Sequence, residues 1–349
     1  MHMADALVTP AVAGTMYAMS TAAAAYSIKK IRPEDLEQKV PVMGVMGAFV
    51  FAVQMINFAI PGTGSSGHLC GGMLLSAILG PHAGFLTMIA ILTIQCFLFA
   101  DGGLLALGCN VWNMAFYGCF IGGALIWRGV AGKKMTKGRI TAASVAGCIL
   151  SLQLGAFSVT LQTLASGITE LPFPLFLGMM QPIHLAIGLV EGLITAAVLV
   201  FLYEARPEIL YGYSYELCVD NVNVRTEPEK KKKRTLALLA ISALVIGGIV
   251  SLFASANPDG LEWSMEKVAG TAELSADGRI YQLAEKVQQF TALLPDYGFQ
   301  TSESAAGISF SGIAGGVIVL AVCLAVCLVM KRMKQGSLRK KDRVNEQNQ

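Results

Sequence analysis

Long stretches with almost no charged residues recur along this 349-residue chain, and short clusters of charge separate them. A helix needs an apolar run of ~20 residues to cross a hydrocarbon layer of roughly 30 Å, and several of these stretches have that length. The whole sequence is 54% hydrophobic and only 14% charged, which is unlike a soluble domain. We therefore predict an all-α, polytopic protein that lies in a lipid bilayer.

The apolar runs divide the chain into two modules, with seven spans in the first and two in the second. The predicted spans are 8–28, 42–60, a short one at 69–80, 83–100, 104–127, 140–160, 175–203, 235–255 and 310–331. On this basis residues 1–205 form a seven-helix bundle and 206–234 form a polar linker. Residues 235–349 form a two-span companion module with an external loop at 256–309.

Basic residues cluster between the predicted spans and indicate their orientation. The clusters Lys29 to Arg32, Arg128 to Arg139, Lys230 to Arg234 and Lys331 to Lys341 fall on one side if every span crosses. Cytoplasmic loops are enriched in Lys and Arg, so we expect a multi-pass protein of a bacterial cytoplasmic membrane with an external N-terminus and a cytoplasmic C-terminus. The net charge is only +3, and the basic residues lie beside the apolar segments. We therefore expect no nucleic-acid partner.

The short predicted span 69–80 follows a polar, glycine-rich loop at Pro61–Gly67. A run of ~12 residues cannot cross a bilayer alone, so it must start within the protein. Non-helical backbone at membrane depth is tolerated only where protein or a water-filled cavity satisfies its polar groups. The sequence therefore predicts a shielded loop beside a cavity.

The first two residues can form a chelating site for a divalent metal. The α-amine of Met1, the backbone nitrogen of His2 and the Nδ1 atom of His2 can reach one ion through nearly unstrained five- and six-membered rings. Three nitrogens in a plane favour a square-planar ion. His68, which follows the glycine-rich loop on the same predicted side of the membrane, can supply a fourth nitrogen. Such binding needs a neutral amine and a deprotonated His2 amide, so affinity should rise with pH. The competing interpretation is an incidental histidine on a flexible terminus.

Other polar residues in or near the spans leave alternatives open. Asp101, Asn110 and Asn113 lie near the outer end of a span, where they either satisfy backbone groups at the helix entry or support the metal-binding loop. His184 and Glu191 lie on one helical face and predict an intramembrane polar pair. For this pair we favour a hydrogen-bond network over a set of metal ligands.

Motifs of hydrolytic or ATPase chemistry are absent from the sequence. It contains no HExxH, no Walker GxxxxGK[ST] and no GxSxG. We therefore expect a non-catalytic protein, and ATP hydrolysis, if it powers transport, must come from another subunit.

Four segments of the chain together resemble the substrate-binding component of cobalt/nickel energy-coupling-factor transporters, of the CbiM/NikM type. They are Met1-His-Met-Ala-Asp-Ala, the loop Pro61-Gly-Thr-Gly-Ser-Ser-Gly-His68, the turn Phe99-Ala-Asp-Gly-Gly-Leu-Leu-Ala-Leu-Gly-Cys-Asn110, and His184 to Thr195. The rest of the chain resembles the small two-span companion subunit, whose external loop here begins Asn257-Pro-Asp-Gly-Leu-Glu262. The resemblance implies a natural fusion of the two.

The resemblance also implies a ligand set, a substrate and partners. The metal would be held by the Met1 amine, the backbone and imidazole nitrogens of His2 and the imidazole of His68. The partners would be a transmembrane coupling protein and cytoplasmic ATPase subunits, and the binding component would tilt in the membrane to release metal inward. Ni(II) or Co(II) is then the transported substrate; four planar nitrogens suit nickel and also fit copper. The alternative from another class is a membrane scaffold or sensor whose external loop binds a protein partner.

Overall fold

Helices make up most of the chain in the computed structural model, which describes residues 1–31, 33–132, 134–213, 229–300 and 304–347. The helices are α1 Pro10–Lys30, α2 Pro33–Gln54, α3 Gly72–Leu79, α4 Pro81–Phe99, α5 Leu107–Val130, α6 Lys137–Ala165, α7 Phe173–Ala205, α8 Glu229–Gly248, α9 Gly260–Ala269, α10 Arg279–Thr291 and α11 Ala305–Gln347. Two short strands, β1 Phe58–Ile60 and β2 Ser65–Gly67, form an antiparallel hairpin.

Five helices in the described part of the chain are long and apolar enough to cross a membrane. They are α4, α5, α6, α7 and the Ala305–Met333 part of α11. Shorter apolar helical stretches occur at Val40–Gln54 and Arg234–Gly248. The chain is therefore a multi-pass membrane protein, whereas the total of nine spans and their orientation remain predictions.

Helix α7 illustrates how the sequence sets the faces of these helices. Leu185, Leu189 and Leu193 repeat at helical spacing and are exposed, whereas Ile187 and Glu191 between them are buried. Leucine side chains exposed along one stripe suit contact with lipid, since hydrocarbon is their preferred surroundings. The opposite stripe packs on α6, and this is the most extensive helix pairing in the fold.

The short segment after the glycine-rich loop is enclosed by protein, in agreement with the prediction for 69–80. All eight residues of α3 are buried. The preceding loop adds strands to a fold predicted to be all-α, since Phe58 pairs with Gly67 and Ile60 pairs with Ser65. Its turn contains Gly62 and Gly64 at φ +79° and +74°, a conformation that residues with a Cβ rarely adopt.

The companion module packs against one side of the bundle. Helix α11 lies along α2, and α8 contacts both of them. A Cβ on Gly47 of α2 would lie 3.1 Å from Cys323 Sγ, so the glycine permits this close approach. The predicted linker at 206–234 includes residues 214–228, which lie outside the described residues.

Candidate metal-binding site

The N-terminal segment runs inward into the bundle, with Met1 5% and Met3 0% exposed. The Met3 N–H donates to Asn110 Oδ1 at 2.8 Å, and the Met3 carbonyl accepts from Asn110 Nδ2 at 3.2 Å and from the Gly103 N–H at 2.9 Å. Asn113 Nδ2 lies 3.4 Å from Met3 Sδ. The terminus is therefore fixed by the fold, and the two asparagines contact it directly rather than the His68 loop.

The Met1 α-amine and the His68 imidazole meet at the centre of the site. The amine nitrogen lies 3.0 Å from His68 Nε2. His68 Nδ1 is 3.1 Å from the Leu69 carbonyl, which can only accept, so Nδ1 carries the proton and Nε2 carries a lone pair. Burial, followed by the Met1 ammonium, lowers the pKa of His68 to about 3. A neutral imidazole with its lone pair directed at the amine is a competent metal ligand.

Asp259 is the residue of the site that the sequence interpretation missed. Its Oδ2 lies 2.5 Å from the Met1 nitrogen, while its Oδ1 accepts from the N–H groups of Leu261 and Glu262 at the start of α9. Glu262 accepts from the Asp259 N–H in return, which completes a capping box. Burial is the largest single influence on the Met1 amine and acts to lower its pKa, but the Asp259 carboxylate, with smaller contributions from Cys70 and Asp101, makes the net shift upward. The signal available in the sequence was the Asp-Gly-Leu-Glu capping pattern.

The His2 side chain is held by a polar network beside the amine. Its ring stacks on that of His68 with 5.2 Å between centroids, and its Nδ1 lies 3.0 Å from Asp101 Oδ1. Asp101 Oδ2 accepts from the Tyr297 hydroxyl at 2.5 Å, and His2 Nε2 lies 3.3 Å from Gln95 Oε1. Burial is the largest influence on His2 and lowers its pKa. The Nδ1 atom thus faces Asp101 in this structure, so a metal must displace that contact to use it.

His184 and Glu191 do not form the polar pair that their spacing predicts. Glu191 accepts hydrogen bonds from the backbone N–H groups of Cys70 and Gly71 at 3.0 and 2.9 Å. His184 Nδ1 is 2.8 Å from the Met180 carbonyl, one turn back on its own helix. The two side chains therefore bond to different parts of the backbone and not to each other. The bonds of Glu191 anchor the end of the His68 loop to α7.

The segment between α8 and α11 of the companion module covers the site. The Ser66 N–H of β2 donates to the Pro258 carbonyl at 2.8 Å, and Trp263 Nε1 of α9 donates to the Thr63 carbonyl at 3.0 Å. These bonds join the turn of the hairpin to the segment that carries Asp259. Residues 257–263 therefore form a lid, and the lid supplies one side of the site.

A cavity of about 620 Å³ borders both the lid and His2. Its walls come from both modules and carry the carboxyl groups of Asp5, Asp101, Asp259, Glu262, Glu273, Glu285 and Asp296. Lysine and arginine are absent from the described residues that line it. A concave surface with carboxylates of one sign concentrates cations from solution.

Side chains alone do not provide a metal cluster here. Within the part of the chain that the structure describes, no three His, Cys, Asp or Glu side chains are grouped to hold an ion. The chelate predicted from the sequence does not need such a group, since two of its donors are the terminal amine and a backbone nitrogen.

Each of the two modules matches a known protein family. Residues 2–209 match the family CbiM, the cobalt uptake substrate-specific transmembrane region, and residues 233–332 match the PDGLE domain. These matches confirm the resemblance read from the sequence.

Some relatives match this chain along nearly its whole length, across both modules. A protein of Archaeoglobus fulgidus, provisionally named fused nickel transport protein NikMN, is 35% identical over 327 residues, covering 93% of this chain and 98% of that protein. The fused nickel transport protein NikMN of Rhodobacter capsulatus is 28% identical and covers 92% and 95%. A crystal structure of a transition metal transporter superposes with a TM-score of 0.50 at 28% identity, covering 58% of this chain and 93% of that one. The chain therefore belongs to the CbiM family and carries a PDGLE domain in the same polypeptide.

Proposed function

We propose that this protein is the metal-binding subunit of an energy-coupling-factor transporter that takes up Ni(II) or Co(II). The observation that carries the proposal is the buried Met1 amine, 3.0 Å from the lone pair of a neutral His68. Relatives named as nickel transport proteins over nearly their whole length support the substrate class, as does a cobalt transport protein CbiM of Geobacter sulfurreducens at 30% identity.

Metal binding exchanges two contacts of the metal-free site. The amine gives up its proton and its ion pair with Asp259, and the His2 amide nitrogen also releases its proton. His2 Nδ1 exchanges Asp101 for the ion, and the neutral ring then carries its proton on Nε2, which faces Gln95 Oε1. The donors are then the Met1 amine, the His2 amide nitrogen, His2 Nδ1 and His68 Nε2. Four nitrogens in a plane suit Ni(II), whereas Co(II) demands that geometry less. The acidic cavity above His2 supplies a route by which a hydrated cation reaches the site.

The two modules have separate roles in the proposed transporter. Residues 1–205 bind the metal, 206–234 lie in the cytoplasm as a linker, and 235–349 form the companion module that covers the site. A transmembrane coupling protein and cytoplasmic ATPases supply the energy, so this subunit is not itself an enzyme. The N-terminus is external and the C-terminus cytoplasmic, in a bacterial-type cytoplasmic membrane.

Uptake of radioactive nickel and cobalt tests this function. The chain is produced with its coupling protein and ATPases in cells that lack other nickel transport, and His2→Ala is compared with His82→Ala. His82 is a suitable control because it packs beside Tyr26 and Phe120, away from Met1. We expect His2→Ala to reduce accumulation at least about 10-fold and His82→Ala to leave it unchanged. Equal accumulation by the two variants would contradict the proposal and favour a scaffold or sensor.

The turn that supports the N-terminus gives a second prediction. A Cβ on Gly103 would lie 1.9 Å from Asp5 Oδ1 and 2.4 Å from the Asp5 backbone nitrogen. Gly103→Ala should therefore displace the N-terminal segment and weaken nickel binding by about 10- to 100-fold. Losses of this size are typical when a residue that orients a metal ligand is replaced. Gly14→Ala is the control, since its Cβ meets nothing within 4 Å. Calorimetry on both purified variants measures the effect, and equal affinities would refute the role of the turn.

A further inference from the structure

One buried polar atom near the site has no function in the scheme above. His184 is 1% exposed, and its Nδ1 donates to the Met180 carbonyl at 2.8 Å. The neutral ring therefore carries a lone pair on Nε2. Among the residues whose side chains are described, this Nε2 has no hydrogen-bond partner. Buried polar atoms are rarely left without a partner in native structures, so this atom requires an explanation.

The structure places this atom beside the candidate metal site. A cavity of about 10 Å³, close to the size of one water molecule or one ion, is lined by Met1, His68, Asp259 and His184. Gly260 of the lid also borders it, and a Cβ there would lie 3.4 Å from His184 Nε2. The absence of a side chain at Gly260 keeps the space next to Nε2 open.

A second small cavity lies next to the first, among α3, α5, α6 and α7. It has the same volume and shares Cys70 and Leu152 with the first in its lining. Glu191, which lies two helical turns beyond His184 on α7, borders this second cavity. The two cavities thus follow α7 from the N-terminal chelate to a buried carboxyl group.

We propose that His184 Nε2 is a transfer ligand, which takes the metal ion from Met1 and His68 as it moves inward. The inference rests on the proposed function, because it requires an ion at the N-terminal chelate. The chemistry is an exchange of ligands in which a neutral imidazole replaces the amine or His68, and no proton has to leave His184. Its ring is already oriented by the Met180 carbonyl, as ligand histidines are by a partner on their other nitrogen.

The test separates binding from inward transfer. Two variants remove Nε2: His184→Phe keeps the ring volume, and His184→Asn keeps a donor near the Met180 carbonyl. We expect nickel affinity of the purified full chain to stay within about 3-fold of the wild type, because the four chelating nitrogens are unchanged. Maximal uptake at saturating nickel, measured in vesicles with the complete transporter, should fall at least about 10-fold for both variants. The half-saturating concentration should change little.

The outcomes distinguish this inference from the proposed function. His82→Phe is the matched control and should behave as wild type in both measurements. Uptake that is unchanged in both His184 variants would overturn the inference and leave His184 with a structural role or a water partner. Loss of binding together with uptake would also overturn it, since His184 would then be needed by the chelate or its fold. If the wild-type chain itself binds no nickel, the proposed function fails.

Discussion

Replacing His68 with alanine is expected to weaken nickel binding by more than about 100-fold, beyond the loss seen when only a group that orients a ligand is removed. His68 Nε2 lies 3.0 Å from the Met1 amine, and its Nδ1 is fixed by the Leu69 carbonyl. His2 cannot take its place, since His2 Nδ1 already belongs to the proposed chelate. The measurement is a calorimetric titration of the purified chain with nickel and with cobalt.

The control for His68→Ala is His82→Ala, which removes the same side chain from a half-buried position near Ser27. A fold check by thermal unfolding excludes a general loss of structure. If His68→Ala bound nickel as tightly as His82→Ala, the fourth donor would lie elsewhere and the ligand set proposed here would be incorrect.

Replacing Glu191 with alanine is expected to destabilise the chain by about 2–6 kcal/mol, because two buried backbone N–H groups lose the acceptor that Glu191 provides, at about 1–3 kcal/mol each. These groups belong to Cys70 and Gly71, which join the His68 loop to α3. A loosened loop end should also shift His68 and weaken metal binding. Thermal unfolding in detergent, with and without nickel, measures both effects.

Glu204 provides the matched control on the same helix. Its carboxylate pairs with Lys137, but both side chains are more than half exposed. Ion pairs at such positions contribute about 0–1 kcal/mol, so Glu204→Ala should unfold close to the wild-type temperature. Equal unfolding temperatures for Glu191→Ala and Glu204→Ala would show that the Glu191 contacts do not stabilise the loop.

The parts of the site that depend on local chain geometry could be predicted from the sequence. The donors of Met1 and His2 are adjacent in the chain, so their chelate rings follow from bond geometry alone. The membrane helices follow equally directly from the length and apolar character of their segments. His68 could be added because it lies in a glycine-rich loop on the same predicted side of the membrane.

The parts that depend on docking between distant segments could not be predicted. Asp259 is 258 residues from Met1, and its capping pattern indicates only that a helix starts there. The contact of His2 with Asp101 depends on how the turn at Gly102 packs against the N-terminus. The hairpin escaped prediction because each strand has only three residues, too few for an alternating pattern to be recognised. The spacing of His184 and Glu191 placed both on one face but could not identify their backbone partners.

The most direct test of the central claim compares the native N-terminus with one extended by a single residue. A cleavable leader that leaves either Met1 or one additional residue gives two otherwise identical chains, and both are titrated with nickel by calorimetry. The extension turns the Met1 amine into an amide and enlarges the chelate, and it must fit where the buried amine now contacts His68 and Asp259. We predict tight binding to the native chain and none to the extended chain. Equal binding by both chains would show that the terminal amine is not a ligand.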